Sequence, residues 1–280
     1  MNTEKNVKEI VKEKYAEIAV SSTRKCCCGS SNNKIVGYSI MKDEYNHLDG
    51  YVAEADLGLG CGLPTEFAAI KKGDTVVDLG SGAGNDVFVA RAIVGESGKV
   101  VGVDFTNEMI IKANINLDKL GFKNVEFKLG EIESLPLLEN FADVVVSNCV
   151  LNLVPNKQKA FSEIYRVLKP GGHFCVSDIV LKGELHPELK KSAEMYAGCV
   201  AGAVQQDEYL KIINQAGFVN TDIKKTKVIE LPDEVLKKYL NETQLKEFKS
   251  NNFGIFSITV VADKPIEQMN GCCDDNCCKN

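Results

Sequence analysis

The stretch VVDLGSGAG (76–84) constrains this chain more than any other. A short apolar run passes directly into Gly80-Ser81-Gly82-Ala83-Gly84, and a helical pattern, NDVFVARAIV, follows at once. Glycine takes positive φ without a steric penalty and lets a ligand come close to the backbone. A short, continuously apolar strand is buried on both faces, as in a parallel sheet covered by helices. The chain must then supply further strands and the crossover helices between them.

The following residues meet that demand. KVVGVD (99–104), NVEFKLG (124–130), ADVVVSNC (142–149) and HFCVSDIV (173–180) read as strands. TNEMIIKANINLDKLG (106–121), with Thr106 as N-cap and Gly121 as C-cap, and KQKAFSEIYRVLKPGG (157–172) read as helices. Residues 3–20 form an amphipathic helix, 43–56 have a mixed, partly helical pattern, and a short helix starts near Thr65. Residues 184–217 read as mostly helical, 224–231 and 253–264 as late strands, and 233–250 as one charged helix. The expected fold is α/β, a doubly wound Rossmann-like sheet with an N-terminal helical and loop extension and a C-terminal α+β region. The expected divisions are an N-terminal extension (1–70), a cofactor-binding domain (71–180), a substrate-side domain (181–264) and a disordered Cys-rich tail (265–280).

Composition narrows the function. A net charge of −6 without a basic stripe argues against nucleic-acid binding. No apolar run is long enough for a membrane span, and the charged N-terminus lacks the apolar centre of a signal peptide. A soluble, cytoplasmic, monomeric protein is expected. Eleven cysteines in such a chain point to soft-metal ligation or thiol redox chemistry, not to a disulfide framework. The three histidines, His47, His173 and His186, stand at no zinc-like spacing from a cysteine.

The turn has GxGxG spacing, not the GxGxxG that presents a helix N-terminus to a pyrophosphate. With Asp78 ahead of it, the stretch resembles the (D/E)xGxGxG pattern of class I S-adenosylmethionine methyltransferases. That resemblance implies a cofactor site. Gly80, Ser81, Gly82 and Gly84 would line the methionine part, and Asp78 would belong to the same cofactor-binding set. Asp104, ending the second strand, would hold the ribose, with Phe105 and Met109 beside it. Glu131 and Ile132, in GEIESLP, would face the adenine. Asn148 would join the set from the end of the fourth strand.

The cysteines differ by position. Cys175 is mid-strand and reads as a small core residue. Cys149 ends the fourth strand, where open α/β sheets bind ligands. The stretches KCCCGS, GLGCGLPTEFAAIKKGDTVVDLGSGAGND, GEIESLP, VVVSNCVLNLVPNKQKAFSEIYRVLKPGGHF and YAGCVAGA resemble the bacterial arsenite S-adenosylmethionine methyltransferases, nearly collinearly from about residue 5 to residue 263. The resemblance implies that Cys149 and Cys199 bind trivalent arsenic, with Cys61 a third thiol. One of Cys26, Cys27 and Cys28 would match the family's N-terminal cysteine, with Cys28, next to Gly29, the first candidate. Arsenite or its thiol conjugate would be the substrate, S-adenosylmethionine the methyl donor, and a glutathione- or thioredoxin-type thiol the electron source. The tail CCDDNCC lies outside the resemblance and reads equally as a metalloid-capturing arm or as a dispensable extension. Two other readings compete: a methyltransferase of a small quinone- or lipid-type acceptor, and a non-catalytic metalloid-binding protein.

Overall fold

The computed structural model describes residues 4–21, 45–183, 202–229, 233–237, 240–250 and 254–266. Seven strands form one sheet: β1 (Thr75–Leu79), β2 (Lys99–Asp104), β3 (Val125–Leu129), β4 (Ala142–Asn148), β5 (Leu168–Lys182), β6 (Val219–Val228) and β7 (Gly254–Asp263). Their spatial order is β3-β2-β1-β4-β5-β7-β6. Pairing is parallel from β3 through β5, and β7 runs antiparallel to both β5 and β6. β6 and β7 therefore complete the same sheet that carries the glycine-rich turn.

The α/β expectation is met, and period-two alternation explains the layers. Val76, Val100, Val144, Val146 and Cys175 turn to one face, where they pack with Val87, Phe88 and Val94 of α3 (Asn85–Val94). Val77, Val101, Val145, Phe174 and Val176 turn to the other. There they meet Phe161 and Ile164 of α5 (Lys157–Val167) and Tyr209 and Ile213 of α6 (Gln206–Gln215). The remaining helices are α1 (Glu4–Ser21), α2 (Pro64–Phe67), α4 (Asn107–Leu120), α7 (Asp233–Leu236) and α8 (Glu242–Ser250). None of the helices described is long and apolar enough to cross a membrane.

Several elements differ from the sequence reading for local reasons. The fifth helix ends at Val167 instead of running to residue 172, because Pro170 disfavours helical backbone at Lys169 and Leu168 pairs with Ala142 of β4. β6 starts at Val219, five residues before the expected strand; as an edge strand it has no apolar face to announce it. The charged 233–250 stretch is two helices, not one. Asn241 and Gln244 cap each other reciprocally, Gln244 N–H to Asn241 Oδ1 and Asn241 N–H to Gln244 Oε1, both at 2.9 Å, which starts α8 afresh. Residues 45–56 form turns instead of a helix. Thr106 occupies the N-cap position of α4, but its side chain makes no capping hydrogen bond, whereas Gly121 ends that helix at φ +69° as expected. The expected helix over 184–200 and the tail lie outside the described residues.

Candidate active site

The order of strands reverses between β1 and β4, and the crevice outside their carboxyl ends is the ligand position of such sheets. A pocket opens there. The β1–α3 turn makes its floor, with Asp78, Gly80, Ser81 and Gly82 on the lining. Gly80 (φ +70°) donates its N–H to Val103 O at 2.8 Å, and a Cβ on it would collide with the Val150 side chain. At Gly82 (φ +51°) the space is open, and the nearest atom to an added Cβ would be Met109 Sδ at 4.0 Å. Gly84 (φ +100°) is not on the lining, and it admits the close approach of Phe88 and Phe127.

Three carboxyl groups face this floor. Asp104 Oδ2 accepts the Gly82 N–H at 3.0 Å and Oδ1 accepts the Thr106 N–H at 2.8 Å. Burial raises its pKa, and those backbone donors oppose the rise. Burial, then the charges of Asp86 and Asp104, holds Asp78 well above the usual carboxylate range. Burial pushes Asp86 up to about 6, against hydrogen bonds from Asn148 and Tyr45. Buried acids of this kind are relieved by a cation, and a cradle of bare backbone leaves room for one. S-adenosylmethionine carries both an ammonium and a sulfonium, so the residues present fit it.

Phe105, Met109, Glu131 and Ile132 also line the pocket, as do Asn148 and Cys149. The sequence reading missed the cover contributed by α1. Lys8, Val11 and Tyr15 reach the lining, and Lys8 pairs with Glu131 at 2.8 Å and with Glu133. Only its amphipathic pattern gave a signal, and that pattern does not say which surface it covers. Tyr45 and Asp86 were also missed; a lone Tyr in a turn and an Asp inside a helical pattern carry no signature.

Cys149 is 2% exposed, has φ +60°, and donates its N–H to Ser177 O at 2.7 Å. Positive φ in a residue with a Cβ is sterically costly and concentrates at functional positions. Cys61 is fully buried and shares one apolar cluster with Cys149, Leu153, Ile179, Leu181, Leu236, Leu240 and Leu245. Cys61 is not on the pocket lining itself. Cys175 belongs instead to the α3-side core, where burial pushes its thiol up. Cys28 and Cys199 lie outside the described residues.

A methyltransferase-domain family model matches residues 70–217. The arsenite methyltransferase of Halobacterium salinarum is 43% identical over 232 residues, 77% of this chain and 58% of that protein. The mouse (Mus musculus) arsenite methyltransferase is 33% identical, over 79% of this chain and 59% of its own length. The crystal structure of an arsenic(III) S-adenosylmethionine methyltransferase from Chlamydomonas reinhardtii superposes with a TM-score of 0.64 at 30% identity, covering 85% of this chain and 76% of that one. The chain belongs to the arsenite S-adenosylmethionine methyltransferase family. The chain spans less than two thirds of the length of the curated relatives it matches. Its fold is the class I methyltransferase fold common to the family, with β7 as the reversed strand.

Proposed function

We propose that this chain methylates trivalent arsenic, with S-adenosylmethionine as methyl donor and cysteine thiolates as arsenic ligands. The observation that carries the reading is Cys149. It is a buried cysteine held at positive φ on the wall of a pocket whose floor is the glycine-rich turn, and Cys61 lies in the same apolar cluster.

Gly80, Ser81 and Gly82 would hold the methionine end of the donor and Asp104 its ribose, with Phe105, Met109, Glu131 and Ile132 around the adenosine. The donor supplies an electrophilic methyl group on a sulfonium. Soft thiolates are the natural ligands of trivalent arsenic, and Cys61, Cys149 and Cys199 would bind arsenous acid with release of three waters. Arsenic so bound keeps its lone pair. The As–C bond forms from that pair while the sulfonium S–C bond breaks toward sulfur, so no protein base is needed. The chain's part is to align the arsenic lone pair with the methyl group. The transfer leaves arsenic oxidised by two electrons. A cysteine pair that closes to a disulfide returns them, and a glutathione- or thioredoxin-type thiol reopens it.

The test separates arsenic species after incubation of the protein with arsenite, S-adenosylmethionine and a thiol. Methylated arsenic is expected from wild type and none from Cys149→Ser or Cys199→Ser. A folded wild type that binds S-adenosylmethionine but yields no methylated arsenic would refute the reading.

A further inference from the structure

Asn148 was assigned to the cofactor in the sequence reading, yet its amide is engaged elsewhere. Oδ1 accepts the Cys61 N–H at 3.0 Å, and Nδ2 donates to Gly62 O at 2.8 Å. One side chain therefore grips the backbone on both sides of Cys61. Nδ2 also reaches Tyr45 Oη and lies 3.2 Å from Asp86 Oδ2, while Tyr45 Oη–H donates to Asp86 at 3.0 Å. The gripped turn fits nothing bulkier. A Cβ on Gly60 would come within 2.6 Å of Asn148 Nδ2, and one on Gly62 would collide with the Ser177 hydroxyl. Asn148 is also the residue immediately before Cys149, whose N–H is tied to Ser177.

We propose that Asn148 is a positioning residue for the acceptor thiols: its amide fixes the Gly60-Cys61-Gly62 turn at a set distance from the strand end that bears Cys149. The inference rests on the reading of Cys61 and Cys149 as arsenic ligands. It assigns to Asn148 control of the acceptor half of the reaction in place of a contact with the donor. Groups that orient a ligand commonly alter affinity by about 10–100-fold when removed.

Asn148→Ala is expected to weaken arsenite binding, measured by equilibrium dialysis, by about 10–100-fold. Its S-adenosylmethionine Kd, measured by calorimetry, should stay within about twofold, and alkylation of Cys61 by iodoacetamide should speed up while that of Cys175 does not. Asn148→Asp supplies a conservative rescue: its carboxylate can still accept the Cys61 N–H but has no donor for Gly62 O, so it should keep part of the arsenite affinity that Asn148→Ala loses. A weakened S-adenosylmethionine Kd with intact arsenite binding would overturn the proposal and return Asn148 to the cofactor. So would unchanged Cys61 labelling in Asn148→Ala. If wild type binds no arsenite, the proposed function fails and Cys61 labelling alone decides the clamp.

Discussion

The cofactor cradle and the thiol edge meet where Cys149 lines the pocket, but they are assembled differently. The cradle comes from two short stretches, 78–86 and 104–109, and much of it is backbone held at positive φ. The thiol edge draws Cys61 from a turn ahead of the sheet, held by the Asn148 amide and the Ser257 hydroxyl, and Cys149 from just past the end of β4, its N–H held by the Ser177 carbonyl. A backbone site is written in local spacing. A site of distant side chains is written only in the fold that gathers them.

The largest effect should separate Cys149 from Cys175, which lie on paired strands. Cys149→Ser should lower arsenic methylation by about a hundredfold or more, the scale expected when a reacting atom loses its position. Cys175→Ala, which removes a thiol from the core, should leave the specific rate within about twofold and cost about 1 kcal/mol or less of stability. Rate assays and denaturant titrations of both variants make the comparison. Equal losses of rate would erase the distinction between edge and core.

Gly80→Ala tests whether the two regions are separable at all. The added Cβ meets Val150, the residue after Cys149, in a backbone conformation unsuited to alanine. The expected cost is about 2–3 kcal/mol of stability, with S-adenosylmethionine affinity lowered at least about tenfold. Arsenite binding should weaken too, through Val150, and dialysis would detect it. Loss of donor binding alone would mean that the cradle and the edge are mechanically independent.

A smaller effect concerns a buried acid beside the thiols. Asp178 accepts the Tyr209 hydroxyl at 2.8 Å, and Tyr209 in turn senses Cys61 and Cys149. Burial pushes Asp178 up to about 7 despite that hydrogen bond and the Lys157 charge. In the unfolded chain it would release its proton near pH ~4. Between those values the folded state binds more protons, so this group's contribution to stability falls as pH rises through the window and levels off above about 7. Asp178→Asn should remove that dependence and gain about 1–3 kcal/mol at pH 8 relative to pH 5. Urea denaturation at both pH values measures it; a variant with the wild-type slope would contradict the assignment.

The least effect belongs to the cover of the cradle. Lys8 is partly exposed and Glu131 more so, and such pairs contribute about 1 kcal/mol or less. Lys8→Met should raise the S-adenosylmethionine Kd by no more than about threefold, with the difference shrinking as salt is added. A tenfold change would make α1 a gate instead of a cover.

The same contrast explains what could be read from the sequence. Strands β1, β2 and β4 are short Val-rich runs with clear ends, and the turn between β1 and α3 is spelled out by its glycines. The edge strand β6, polar on both faces, hid its first five residues. The break at Asn241 escaped notice because a capping box inside a charged stretch does not interrupt helical spacing. At the site, Asp104 drew attention because it ends a strand and Cys149 because it follows one directly, and both line the pocket. For Gly84 the two uses are not separable by spacing, since a glycine needed for Phe88 and Phe127 looks the same in sequence as one needed for a cofactor. The grip of Asn148 on Cys61 and its link to Tyr45 and Asp86 join residues far apart in the chain. No spacing rule relates them.

The most direct test of the account is the sulfur count around bound arsenic. X-ray absorption at the arsenic edge should give three sulfur neighbours for arsenite on wild type and two, with an oxygen in place of the third, on Cys149→Ser. Three sulfurs on Cys149→Ser would place the arsenic away from the end of β4 and contradict the site proposed for it.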